Sequence, residues 1–135
     1  MLKKHQGTVG VLRVAHAYQL LEYNVLLPFG DSQKYDLVIE KGGELKRVQV
    51  KTATEKNGVV YADTRVIGHN LKGVNIYHPT KEDFDILAVV EMETQNVYAI
   101  PFDGNRKQFH FRTKKTKNNQ QKNVRLASEY LLLGP

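Results

Sequence analysis

Lys34-Tyr35-Asp36-Leu37-Val38-Ile39-Glu40-Lys41-Gly42-Gly43-Glu44-Leu45-Lys46-Arg47-Val48-Gln49-Val50-Lys51-Thr52-Ala53 reads as two strands joined by a two-glycine turn. Glycine accepts the positive φ of tight hairpin turns, so Gly42-Gly43 predicts an antiparallel hairpin with strands over 34–41 and 44–53. In that register Lys41 faces Glu44, and Asp36 falls opposite Gln49. Facing side chains share one side of a sheet, with Cβ atoms about 4.5–5.5 Å apart. Lys51 points the same way as Gln49, roughly 7–8 Å from Asp36 along the diagonal. The register therefore gathers Asp36, Gln49 and Lys51. A solvent-facing strand side would carry the same residue types, so the trio alone does not specify a chemistry.

The rest of the 135-residue chain supports one compact region with a hydrophobic core, and we expect a single domain over 1–135. There is no cysteine, which excludes disulfides and thiolate metal sites. No apolar run approaches the length of a membrane span, and the segment after Met1 lacks the apolar core of a signal peptide. These features predict a cytoplasmic protein without a membrane partner. The formal net charge is +6 and the pI about 9.5. Arg106, Lys107, Arg112, Lys114, Lys115, Lys117, Lys122 and Arg125 follow one another with no intervening Asp or Glu. Such a cluster suits a phosphate backbone or a solvated loop.

Along the chain, Thr8 is a predicted N-cap for a helix from Val9 to about Glu22, with an apolar stripe of Val11, Val14, Tyr18 and Leu21. A strand is expected from Asn24 to Phe29 and a turn at Phe29-Gly30-Asp31-Ser32. Lys56-Asn57-Gly58 signals another turn, followed by a short strand over 59–65. The stretch 67–81 has no clear period and is expected to be irregular. Strands are predicted over 84–92, 97–102 and 108–113, a basic loop over 114–122, and a terminal helix over 125–133. This order predicts an α/β fold with a mixed β-sheet flanked by helices. His5, His16, His69, His78 and His110 show no metal-ligand spacing. Asp83, Asp85 and Asp31 read as turn residues.

Helix, strand, strand with Asp and strand with (Glu/Gln)-x-Lys is also the opening order of the restriction-endonuclease-like fold. Asp36, Gln49 and Lys51 match its active-site pattern, PD-(D/E)-XK. The words around them, Val25-Leu26-Leu27-Pro28-Phe29-Gly30-Asp31, Tyr35-Asp36-Leu37-Val38 and Arg47-Val48-Gln49-Val50-Lys51-Thr52-Ala53, sharpen the likeness. Together with Gly7-Thr8-Val9-Gly10 and Lys117-Asn118-Asn119-Gln120, they resemble the homing endonucleases encoded in group I introns. The likeness is nearest to the bacterial type that cuts a tRNA gene. The resemblance implies a metal-dependent DNA endonuclease that uses Mg²⁺ or another divalent metal. Asp36 would be the principal metal ligand, with the Gln49 amide oxygen and the Val50 main-chain carbonyl beside it. Lys51 would polarise the attacking water or stabilise charge on the phosphate. Glutamine at the (D/E) position occurs within this group. Position 11 departs from it, because Val11 stands where the family carries an active-site glutamate on the first helix.

The implied partner is double-stranded DNA, with Arg65, Asn70, Lys72, Lys114, Lys115, Lys117 and Asn118 as candidate contacts. A chain of this size cannot span a long site alone, so a homo-oligomer is expected, a tetramer or a dimer. Two alternatives stay open at this stage: a Holliday-junction resolvase or repair nuclease of the same fold, and a DNA-binding protein without catalysis.

Overall fold

The hairpin forms around its glycines. In the computed structural model, which describes residues 1–113 and 126–134, β2 (Leu37–Lys41) and β3 (Glu44–Ala53) pair antiparallel, with Lys41 facing Glu44 and Leu37 facing Val48. Gly42 and Gly43 have φ of 61° and 86°, the paired positive angles of the turn that matches strand twist. β1 (Asn24–Leu26) adds to the outer edge of β2, and it is shorter than the strand expected to run to Phe29. Pro28 has no N–H to donate, so the ladder ends before it.

β3 is also the hinge of the larger sheet. It pairs parallel with β8 (Ile86–Glu91), which pairs antiparallel with β9 (Val97–Pro101). The sheet has six strands in the order β1-β2-β3-β8-β9-β11, where β11 is Leu131–Leu133. The helix predicted over 125–133 is thus corrected: only α2 (Ala127–Tyr130) is helical, and the next residues pair with β9 instead. Edge pairing on a hydrophobic strand outweighed local helix propensity.

α1 (Lys3–Leu20) covers one face of this sheet, with Val14, Ala17 and Tyr18 packed on Leu37, Ile39, Val48, Val50, Ala88 and Val90. It starts about two turns earlier than expected. Thr8 is not its N-cap, because the Thr8 hydroxyl donates to the Lys4 carbonyl inside the helix. The early turns are held by tertiary contact rather than by a cap. The Gln6 amide donates to Thr52 Oγ1 at 3.3 Å, and Gly10 lies so close to β3 that a Cβ would meet Thr52 Cγ2 at 2.6 Å.

The other face carries a second sheet in the order β10-β5-β4, made of β4 (Glu55–Lys56), β5 (Val59–Asp63) and β10 (Gln108–Arg112). Asn57 and Gly58 make its tight turn with φ of 52° and 77°. Val60, Ala62, Phe109 and Phe111 pack against Leu87, Val89, Tyr98 and Ile100, with Phe84 and Phe102 stacked at 4.2 Å. The stretch expected to be irregular is instead a two-stranded ribbon, β6 (Val66–Asn70) and β7 (Gly73–Tyr77). Every residue of both strands is exposed, so no burial period marked them in the sequence. Among the described residues, no helix is long and apolar enough to cross a membrane.

Two acidic residues pin strand ends. Asp85 accepts the Arg47 main-chain N–H at 2.7 Å and pairs with the Arg47 guanidinium, joining the start of β8 to β3. Glu91 is fully buried at the other end of β8. Burial alone would push its pKa up. The Thr94 hydroxyl and the N–H groups of Thr94, Glu93 and Glu55 outweigh burial and hold it below the usual value. A depressed carboxyl pKa stabilises the fold above the unfolded-state value and stops doing so as pH falls through the folded-state value. Glu91→Ala should lower the unfolding free energy at pH 7 by about 3 kcal/mol, since buried donors lose their acceptor. Urea denaturation at pH 7 and in acid checks this: the gap between variant and wild type should narrow in acid.

Candidate active site

β3 is longer than β2. The paired register between them stops at Leu37 and Val48, so residues 49–53 keep β8 on one side and lose β2 on the other. Asp36 sits where β2 gives out. Its N–H donates to the Val48 carbonyl at 2.9 Å, and its Oδ2 accepts the Val50 N–H at 2.7 Å. A side-chain carboxylate thereby takes the place of a missing strand. In a strand, the N–H and carbonyl of one residue point to the same side. The Val50 carbonyl therefore faces the open edge beside Asp36.

Alternation along β3 sorts its side chains. Val48 and Val50 lie under α1, while Gln49 and Lys51 are in register with Leu87 and Val89, whose side chains belong to the opposite face. Gln49 and Lys51 are both half-buried there. The Gln49 amide nitrogen approaches the Val50 carbonyl at 3.4 Å, so its amide group lies at the same open edge.

The electrostatics of Asp36 and Lys51 oppose each other. Burial raises the Asp36 pKa, against the lowering effects of the Val50 N–H and the nearby Lys51 charge. Burial lowers the Lys51 pKa, against the raising effects of Asp36 and Asp63. Each group is partly stripped of water and partly compensated by the other, a combination frequent at catalytic sites. Asp63, at the end of β5, is a site neighbour that sequence reasoning missed. Its strand had no spacing to the hairpin, and only the packing of the two sheets brings it near. A cleft lined by Leu27, Pro28, Gly30, Asp31, Gln33 and Asp36 opens beside the carboxylate, so Asp31 lies close to the site.

Val11 belongs to the helix side. It packs, half-buried, against the cluster that contains Val50. The first helix thus touches the strand that carries the site, but it contributes a hydrocarbon at position 11. Among the other predicted contacts, Arg65 leads into the ribbon with its Nε 3.4 Å from Asp63, while Asn70 and Lys72 form the ribbon's tip. Lys114, Lys115, Lys117 and Asn118 lie outside the described residues.

Residues 1–133 match the model of the PD-(D/E)XK endonuclease family. The chain belongs to that family. A solved structure titled "The structure of a bacterial homing endonuclease: I-Ssp6803I" superposes with a TM-score of 0.78 at 26% identity, covering 97% of this chain and 89% of that one. The family match and this superposition establish the restriction-endonuclease-like fold expected from the hairpin. Among curated proteins, Protein 5.3 of Escherichia phage T7 is 36% identical over 84 residues, which is 62% of this chain and 69% of that protein.

In this nuclease family member the charge coupling has a direct test. Removing Lys51 takes away one of the effects that lower the Asp36 pKa, so Lys51→Met should raise that pKa further. Carboxyl-carbon NMR titration reads it, and an unmoved titration would remove Lys51 from the site's electrostatics. Asp36→Asn keeps an acceptor for the Val50 N–H and removes the buried charge. Because the folded-state pKa of Asp36 is raised, its ionisation costs stability as pH rises. The Asn variant should therefore unfold at the same or a higher urea concentration at pH 7.

Proposed function

We propose that the chain is a sequence-specific DNA endonuclease of homing type, hydrolysing phosphodiester bonds in double-stranded DNA with a divalent metal such as Mg²⁺. The observation that supports this reading is the open end of β3, where Asp36 accepts the Val50 N–H and the Gln49 amide lies 3.4 Å from the Val50 carbonyl, in a chain of the endonuclease family.

The donors fit a hard cation. Asp36 offers a carboxylate and Val50 a carbonyl oxygen; the Gln49 amide, whose nitrogen faces that carbonyl at 3.4 Å, would offer its oxygen once turned over, and Mg²⁺ takes oxygen ligands while keeping several waters. Among the described residues there is no group of three or more His, Cys, Asp or Glu that could hold a metal. One carboxylate is a weak site by itself, and a DNA phosphate would complete it. A bound divalent ion would neutralise the phosphate and acidify the attacking water. Lys51, already shifted towards its neutral form by burial, is suited to orient that water or to meet charge growing on the phosphate.

The exposed ribbon supports the DNA reading. A two-stranded β-ribbon fits the major groove. Its tip presents Asn70 and Lys72, the first able to read a base edge and the second suited to phosphate. We further propose one endonuclease domain acting as a homo-oligomer, with a tetramer expected. Light scattering on the purified protein would give a monomer mass if this is wrong.

Val11 favours a weakened enzyme, because the helix supplies no carboxylate beside Val50. Mg²⁺-dependent cleavage of plasmid libraries compares wild type, Val11→Glu and Asp36→Ala. Val11→Glu should cut about 10²-fold faster than wild type, on the scale of a restored acid–base or metal-binding group. Asp36→Ala should not cut. If neither wild type nor Val11→Glu cuts while both bind duplex DNA, the protein is a binding module.

A further inference from the structure

The two ends of the exposed ribbon converge on an open cleft of about 510 Å³, bordered by Arg65, His78, Asn105, Arg106, Lys107 and Asp63. Its walls are built rather than incidental. The buried Thr64 donates both its N–H and its hydroxyl to the Lys107 carbonyl, tying the end of β5 to the loop before β10. On the other side, Gly104 takes a φ of 82° and sits so close to the 80–81 backbone that a Cβ would meet the Lys81 nitrogen at 2.8 Å. Asp103 closes the same loop by accepting the Asn105 N–H at 2.9 Å. The loop that carries Arg106 and Lys107 is thus clamped between two segments, and its cations project from a fixed backbone.

The charge balance of the cleft is positive. Asp63 already pairs with Arg65 and accepts the Tyr61 hydroxyl and the Arg65 N–H. Arg106 and Lys107 are exposed, and among the described residues neither side chain is in an ion pair. The cleft lies towards the candidate active site, because Asp63, which borders it, ends β5, and Val60 and Ala62 of β5 pack with Ala53 of β3. It also lies at the root of the ribbon.

We propose that this cleft seats the phosphodiester backbone of the duplex beside the bond to be cut, with Arg106 and Lys107 as its phosphate contacts. The proposal deepens the nuclease reading and rests on it. A strand held there would run from the root of the ribbon past Asp63 towards Lys51 and Asp36. Binding at the ribbon and presentation at the site would then be set by one rigid loop.

The test is duplex binding by fluorescence anisotropy in EDTA across a salt series, with wild type, Arg106→Ala/Lys107→Ala and Lys46→Ala. Lys46 is a control cation at the far end of the hairpin, beside Glu44. Each phosphate contact contributes about 0.9 to the slope of log affinity against log salt, so the double variant should lose about 1.8. Its low-salt affinity should fall on the order of tenfold, while Lys46→Ala stays at the wild-type slope. Circular dichroism confirms that the variants are folded. Inorganic phosphate that binds wild type but not the double variant, while the two share the same duplex salt slope, would make the cleft a free-phosphate site and overturn the proposal. Wild-type binding with an unchanged slope in the double variant would overturn the cleft assignment alone. A wild-type chain with no affinity for duplex DNA would overturn the nuclease reading and the cleft with it.

Discussion

The hydrogen bond from the Val50 N–H to the Asp36 carboxylate sits where β3 runs on past the end of β2. β3 must run on past β2 because its parallel partner β8 begins opposite Val48 and continues to Glu91. Parallel pairing therefore displaces the two neighbours of β3 along its length. The far end of the strand keeps one open edge, and a polar side chain has to satisfy it. Asp36 does so, at the expense of being partly desolvated. The same open edge leaves the Val50 carbonyl facing outward. The structural need of the sheet is met by one carboxylate, the same one proposed as the metal ligand.

The surrounding parts hold that edge in place. Gly10 lets α1 approach Thr52 and Val50 closely, and Gln6 bonds to Thr52 from the same helix. Arg47 and Asp85 lock the start of β8 to β3, while Glu91 closes the other end of β8. The second sheet presses from the opposite face and brings Asp63 towards Lys51. The Lys51 pKa is thereby lowered by burial and raised in part by two carboxylates, Asp36 and Asp63, from separate segments. Position 11 lies on α1 and packs against the cluster that contains Val50.

Several parts of this arrangement were legible in the residues. Gly42-Gly43 specified the hairpin and its register, because only residues tolerant of positive φ make that turn. The apolar runs of β8 and β9 announced buried strands, and Asn57-Gly58 announced the turn before β5. The ribbon was not legible, because both of its faces are exposed and no alternation is imposed on it. The start of α1 was misplaced because Thr8 resembles a cap, whereas docking on β3 is what extends the helix. The final residues carry a helical composition but pair with β9, because the edge of that strand offers unpaired backbone groups.

The sequence by itself determined which residues meet across the hairpin, since turn chemistry and the two-residue period of strands leave little freedom. It also carried the resemblance to the nuclease family, since Asp36, Gln49 and Lys51 lie within one local unit. Only the tertiary structure decided what those residues experience. The open edge of β3 depends on where β8 pairs, the shifted pKa values depend on burial by two sheets and a helix, and the basic cleft depends on a loop clamped between distant segments. Local geometry is encoded by neighbours in the chain; solvation and long-range charge are encoded by packing, which no short stretch of sequence contains.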